Sequence, residues 1–299
     1  MPTVIEASGL VKQFGRVRAL DGLDLSIDEG EVHGFLGPNG AGKSTTIRVL
    51  LGLTRRSSGR VTVFGEDPWT AAVPIHRRLA YVPGDVTLWP NLSGGETIDL
   101  LAGMRGGADP ALRARLIADF DLDPKKKARS YSKGNRQKVA LIAAFARRAE
   151  LYLLDEPTSG LDPVMEAVFR EQVKRVTADG ATVFLSSHIL SEVEELCDRV
   201  TIIRSGIAVE HGTLSEMRHL TSTAFTVVTD ADVDAIAALP GVLHAVRDGD
   251  TLRFDVSTDA VGRVVAHLAG SRVDAMTATP PSLEELFLRH YGDRIPAAS

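Results

Sequence analysis

The chain has 299 residues, 44% of them hydrophobic, and a formal net charge of −5. That length supports one large domain beside a small one, and the acidic balance excludes the basic excess of a nucleic-acid binder. A single cysteine, Cys197, excludes an internal disulfide; with no signal pattern in MPTVIEASGLVKQFG and no run of about 18 apolar residues, a soluble cytosolic protein is expected.

Residues 3 to about 220 alternate strand-like and helix-like segments with Gly-rich turns, the pattern of an α/β domain. EVHGFL (31–36) reads as a short apolar strand that runs into GPNGAGKST and then into the apolar helix opening TIRVLLGL. NLSGGE (91–96) opens a helical stretch, with Ser93 as its cap. VALIAAFA (139–146), flanked by Lys138 and Arg147, reads as a buried helix. ELYLLDE (150–156) and ATVFLSSH (181–188) read as strands with polar ends. VTIIRSGIAVEHG (200–212) reads as two strands joined at Ser205-Gly206. Polar strand ends matter because open α/β sheets bind ligands at the carboxyl ends of their strands.

Beyond about 220 the pattern changes, dividing the chain into expected domains 1–220 and 221–299. AFTVVT (224–229), VLHAV (242–246), TLRFDV (251–256) and RVDAMTAT (272–279) read as strands. DVDAIAAL (232–239) and DAVGRVVAHLA (259–269) read as helices, the second with Val261, Val264, Val265 and Leu268 on one face. The order β-α-β-β-α-β is that of a small ferredoxin-like domain. A last helix, SLEELFLRHY (282–291), follows Pro280-Pro281, and the tail RIPAAS is expected to fray. No catalytic cluster is visible here, so a packing, dimerisation or regulatory role is expected.

Gly37-Pro38-Asn39-Gly40-Ala41-Gly42-Lys43-Ser44 fits G-x-x-x-x-G-K-[ST] at every position, between a strand and a helix as that motif requires. The glycines let backbone N–H groups turn toward phosphate oxygens, and the next helix points its N-terminus at the same anion. Lys43 supplies positive charge for the β- and γ-phosphates, and the Ser44 hydroxyl is placed to ligate Mg²⁺. Thr45 completes the expected ATP-binding set. The apolar run 151–154 ending in Asp155 places a carboxylate near that metal. Glu156 is the candidate general base for an attacking water.

Taken with Leu154-Asp155-Glu156-Pro157, Ser159-Gly160-Leu161-Asp162 and Ser187-His188, these motifs resemble, in order and spacing, the nucleotide-binding subunit of an ABC transporter. The resemblance covers residues 3 to about 220. It implies a RecA-like core with an antiparallel β subdomain and a helical subdomain. It also implies a head-to-tail dimer in which each ATP lies between the phosphate loop of one subunit and the signature of the other. Tyr131-Ser132-Lys133-Gly134-Asn135-Arg136-Gln137-Lys138 stands where that family carries its L-S-G-G-Q signature, with Lys133 for Gly and Asn135 for Gln. Ser132, Lys133, Gly134 and Asn135 are therefore the expected contacts made in trans. NLSGGE lies too early, after Tyr81-Val82-Pro83, which resembles the start of the family's Q-loop. The Gln or Glu expected there is Gly84, followed by Asp85, a candidate substitute metal ligand.

The resemblance further makes Phe14 the aromatic that stacks on adenine, His188 the switch histidine for the γ-phosphate, and Asp162 the D-loop acid that communicates between sites. The ending PSLEELF (281–287) resembles the close of the antibiotic- and drug-exporting branch, whose permeases are separate polypeptides. The expected cofactors are ATP and Mg²⁺. The expected partners are a transmembrane permease and a second copy of the chain or a paralogue. Trp89, after the Q-loop position, is a candidate contact for the permease. The expected place is the cytoplasmic face of a bacterial membrane. The alternative is a soluble, non-transport ATPase with a sensing or docking C-terminal domain.

Overall fold

A computed structural model of the chain describes residues 2–219 and 222–279. The expected last helix (282–291) and tail lie outside those residues. Two long strands come first, β1 (Thr3–Phe14) and β2 (Val17–Asp28), then β3 (Val32–Leu36), α1 (Lys43–Leu50) and β4 (Ser58–Val63). β4 returns to pair with β1, giving an antiparallel sheet in the order β2-β1-β4. Next come α2 (Ala72–Arg78), β5 (Leu79–Val82), α3 (Gly94–Gly103), α4 (Pro110–Asp119) and α5 (Lys133–Phe145). β6 (Leu151–Asp155), α6 (Pro163–Ala178), β7 (Thr182–Ser187), α7 (Leu190–Leu196), β8 (Arg199–Arg204) and β9 (Ile207–Thr213) complete the α/β part.

These strands form a six-stranded sheet, β5-β6-β7-β3-β8-β9, whose first five members run parallel. β3, β6 and β7 are buried at every residue, as strands covered on both faces must be, and their sequences are correspondingly apolar. β9 follows β8 through Ser205 and Gly206, with φ of 50° and 81°, the left-handed pair that a two-residue hairpin favours. Helix α1 supplies apolar side chains to both sheets. Ile47, Val49 and Leu50 share one buried cluster with Leu10, Leu23 and Val61 and with Phe35, Leu153 and Phe184.

Several helices open on side-chain caps. Ser93 accepts from the Glu96 backbone while the Glu96 carboxylate returns to the Ser93 backbone, a complete capping box. Asp109 caps α4 and Ser132 caps α5. In α5 every residue from Val139 to Phe145 is buried, as the apolar run predicts. The glycines of NLSGGE have a packing reason. A Cβ on Gly94 would stand 2.2 Å from the Tyr131 hydroxyl oxygen, and that hydroxyl is committed to the Asp123 carbonyl at 2.6 Å. Gly95 donates its N–H to the Pro124 carbonyl. The stretch is a helix entry packed under Tyr131.

The chain divides into compact units Met1–His211 and Gly212–Ser299. The second contains α8 (Leu214–His219), β10 (Ser222–Thr229), α9 (Val233–Ala237), β11 (Val242–Asp248), β12 (Thr251–Ser257), α10 (Val261–Leu268) and β13 (Val273–Thr279). Its antiparallel sheet, β11-β12-β10-β13, has the strand order of a ferredoxin-like fold. Phe225 and Phe254 stack in its core with ring centroids 5.3 Å apart. On α10, Val264 and Leu268 are buried and Val261 packs against them, but Val265 is 38% exposed. One helical step of about 100° carries it from Val264 to the rim of the buried stripe.

Gly94→Ala is expected to overpack the Tyr131 contact and to destabilise the chain by about 1–3 kcal/mol, with ATP affinity of the folded protein unchanged. Urea unfolding and nucleotide titration check the two halves separately.

Candidate functional site

The loops after β3, β6 and β7 carry the candidate groups. β3 ends at Leu36, and the phosphate loop leaves at once. Gly37 and Ala41 are buried, Pro38 and Thr45 half-buried, and Asn39, Gly40 and Ser44 exposed. Gly42 has φ of 117°, and a Cβ there would stand 2.8 Å from the Ala19 carbonyl oxygen, so conformation and space both require glycine. Lys43 opens α1 and is buried. Its ammonium donates to the Gly37 carbonyl at 2.6 Å.

β6 delivers the acids. Asp155 is buried, and its Oδ1 accepts from the Ser186 hydroxyl of β7 at 2.5 Å. Glu156 follows with φ of 47°, a left-handed conformation that a non-glycine residue holds only under constraint. The constraint is visible: the Glu156 N–H donates to the Ser186 carbonyl at 3.0 Å. Glu156 Oε1 then lies 3.4 Å from Lys43 Nζ and 3.3 Å from His188 Nδ1. Lys43, Asp155, Glu156 and His188 are thus gathered at adjacent strand ends. The set joins a cation and a helix N-terminus suited to phosphate with a carboxylate suited to general-base work.

β5 ends beside the acids. A Cβ on Gly84 would stand 3.1 Å from the Asp155 carbonyl oxygen and 3.6 Å from the Glu156 Cβ. Burial and the Asp155 carboxylate push the Tyr81 phenol up to about 12, so it stays neutral. Asp85 is exposed, and none of the described hydrogen bonds or ion pairs reaches it. Phe14 is 49% exposed, which removes it from the core, and the Lys12 ammonium lies 4.5 Å from its ring centroid. Asp162 caps α6, its Oδ1 accepting from the Val164 and Met165 N–H groups.

Residues 132–135 open α5. Ser132 accepts from the Asn135 N–H at 3.2 Å. The Lys133 ammonium donates to the Ser159 hydroxyl at 2.7 Å. A Cβ on Gly134 would stand 2.4 Å from the Gly160 carbonyl oxygen. Among the described hydrogen bonds and ion pairs, none joins residues 132–135 to the phosphate loop. Two further side chains brace the site. Gln137, buried, donates to the Pro157 carbonyl at 2.9 Å, and Ser186 holds Asp155. Ser186 is one more small residue of a β-rich run, and nothing in its spacing marks it.

Among the described residues, no group of three or more His, Cys, Asp or Glu side chains stands together as a metal site. Ser44 and Asp155 are hard oxygen donors. That set suits a Mg²⁺ ion whose shell is completed by phosphate oxygens and water.

Residues 20–159 match the ABC transporter family, and residues 212–291 match the C-terminal domain of DrrA1-3-like ATP-binding proteins. Over 305 aligned positions the chain is 34% identical to the daunorubicin resistance ATP-binding protein DrrA3 of Streptomyces coeruleorubidus, covering 97% of this chain and 96% of that one. It is 30% identical to the bacitracin transport ATP-binding protein BcrA of Bacillus licheniformis, covering 98% of each. A solved ATP-binding subunit of an ABC transporter matches with a TM-score of 0.68 and 32% identity, over 73% of this chain and 93% of that one. The dimeric bacterial ABC transporter cassette MJ0796 shares the fold, with a TM-score of 0.64 and 23% identity over 70% of this chain and 98% of that one. With phosphate loop, acidic strand end and C-terminal unit all inside one near-full-length match, the chain belongs to the ATP-binding subunits of ABC transporters and is an ATPase of the branch with a DrrA-like C-terminal domain.

Proposed function

We propose that this ATPase powers a separate membrane permease that exports a drug, an antibiotic or another hydrophobic compound. The observation that carries the reading is an apolar groove of about 610 Å³ between the α2–β5 region and helices α3 and α5. Leu53, Val73, Trp89 and Met104 line it and are between 46% and 67% exposed. Such a concentration of exposed apolar side chains marks a protein contact, and a short amphipathic helix of a permease is the occupant proposed. No helix among the described residues is long and apolar enough to cross a membrane, so the span belongs to the partner. The likeness to DrrA3 and BcrA, named for daunorubicin resistance and bacitracin transport, supports an exported cargo of that kind. The proposed place is the cytoplasmic face of the membrane, reached through the permease.

In the proposed mechanism, the phosphate loop and the N-terminus of α1 bind the ATP phosphates, with Lys43 on the β- and γ-phosphates. The adenine stacks on the exposed ring of Phe14. Ser44 and Asp155 would hold a Mg²⁺ ion, which would supply charge neutralisation at the phosphates, and the exposed Asp85 would be a further oxygen donor. Glu156 accepts a proton from the attacking water, and His188 orients the γ-phosphate. Ser132, Lys133, Gly134 and Asn135 reach the nucleotide of a second copy. That no described hydrogen bond or ion pair joins this stretch to its own phosphate loop supports that arrangement. Asp162, at the head of α6, follows two residues after the Ser159-Gly160 turn that residues 133 and 134 pack against, which supports a role between sites.

Glu156→Gln is expected to lower ATP turnover by at least about 10²-fold while retaining ATP binding. Gel filtration with ATP should then show a dimer, and a monomer with unchanged turnover would remove the general-base role. A mixing experiment tests the composite site. Lys43→Ala and Ser132→Arg are each expected to be inactive, but an equimolar mixture regains turnover because one of its two sites has an intact loop and an intact signature. No recovery would mean that each site lies within one chain. For the groove, Trp89→Glu is expected to abolish co-purification with a polytopic membrane protein from detergent-solubilised membranes, with ATP binding as the check on folding.

A further inference from the structure

Helix α7 places one buried carboxyl against the end of β7, beside the residue that precedes His188. Glu192 is 6% exposed. Its Oε2 accepts from the Ser187 hydroxyl at 2.7 Å. The Ser187 oxygen in turn accepts from the Ile189 N–H at 3.0 Å. That closes a side-chain turn with His188 at its centre.

Burial pushes the Glu192 carboxyl above the ordinary range, and the Ser187 hydroxyl only partly opposes this. Its Oε1 is buried without a partner, alone in that respect among the buried side-chain nitrogens and oxygens of the described residues. An acid in the first turn usually serves its own helix. Glu192 instead turns away from α7 toward β7. A buried, half-satisfied carboxyl is costly, so its use is expected in what it holds in place.

We infer that Glu192 is a positioning residue for ATP hydrolysis: through Ser187 it fixes the turn that presents His188 to Glu156. This rests on the roles proposed above for Glu156 and His188. Those roles belong to the hydrolytic step, so loss of the carboxyl affects turnover rather than nucleotide capture.

The test uses the full chain with MgATP, with the unmutated protein and Glu156→Gln as controls. If the unmutated chain does not hydrolyse ATP, or Glu156→Gln keeps turnover, the reading of the site has failed and not this inference. Given sound controls, Glu192→Ala is expected to lower kcat by about tenfold or more, as misplacement of a catalytic group does, with KM for ATP within about twofold. Glu192→Gln, which keeps an acceptor for the Ser187 hydroxyl, is expected to recover most of the rate. Ser187→Ala should reproduce the loss, and the double variant should lose no more than the worse single one. Unchanged kcat in Glu192→Ala overturns the inference, as does an additive double variant. If Glu192→Ala fails to fold, Ser187→Ala decides: a selective fall in kcat supports the link, and normal kcat overturns it.

Discussion

The site depends on the register of three parallel strands. Leu36 at the end of β3 stands opposite Ser187 of β7, and Asp155 at the end of β6 stands opposite Ser186. The phosphate loop, Glu156 and His188 each begin one residue beyond these partners. Three chain segments far apart in sequence therefore leave the sheet within one residue of the same level. A slip of one residue would turn every side chain to the other face and would take Asp155 away from Ser186. Burial on both faces of β3, β6 and β7 makes such a slip costly, so the core's hydrophobic packing is also what aligns the chemistry.

Within that frame, the charges are arranged as a chain of obligations. Glu156 receives Lys43 on one side and His188 on the other, while the Lys43 ammonium also holds the Gly37 carbonyl. At 3.4 Å and an effective dielectric near 20, the Lys43–Glu156 attraction is about 5 kcal/mol, most of it offset by the desolvation of two largely buried groups. Its value lies less in stability than in placement. The lysine, the carboxylate and the imidazole hold one another near the mouth of the phosphate loop, and the left-handed backbone at Glu156 fixes the direction of the carboxylate.

Much of this was legible in the sequence because short-range chemistry encodes it. The phosphate loop announces itself by glycines with no alternative, such as Gly42, and the acidic strand end by apolar residues stopped abruptly at Asp155. The Ser205-Gly206 hairpin and the Ser93 and Ser132 caps are likewise local. The strands β1 and β2 were harder to see one by one, because register shifts near Thr3, Ala7 and Leu10 break the alternation a strand should show. Contacts such as Gln137 to Pro157 and Ser186 to Asp155 join residues 20 and 31 positions apart, and no single-sequence pattern reports a pairing set by the fold. The exposed edge of α10 at Val265 shows the limit of periodicity, which finds a stripe but not its width.

Two glycine-bearing stretches with similar letters separate for the same reason. In NLSGGE the missing side chains admit Tyr131 and the chain near Pro124, so the glycines serve packing inside the helical part. In SKGN the missing side chain at Gly134 admits the carbonyl of Gly160, a residue of the loop that follows Glu156. The Lys133 side chain lies along that same loop and bonds Ser159, while Gln137 bonds Pro157 one helical turn later. The head of α5 is thereby fastened at three points to the segment 157–160. Lys133 departs from the family's small residue at this place, yet it adds a bond to the fastening. The head of α5 and the loop after Glu156 are thus held together by close packing at Gly134 and by the side chains of Lys133 and Gln137.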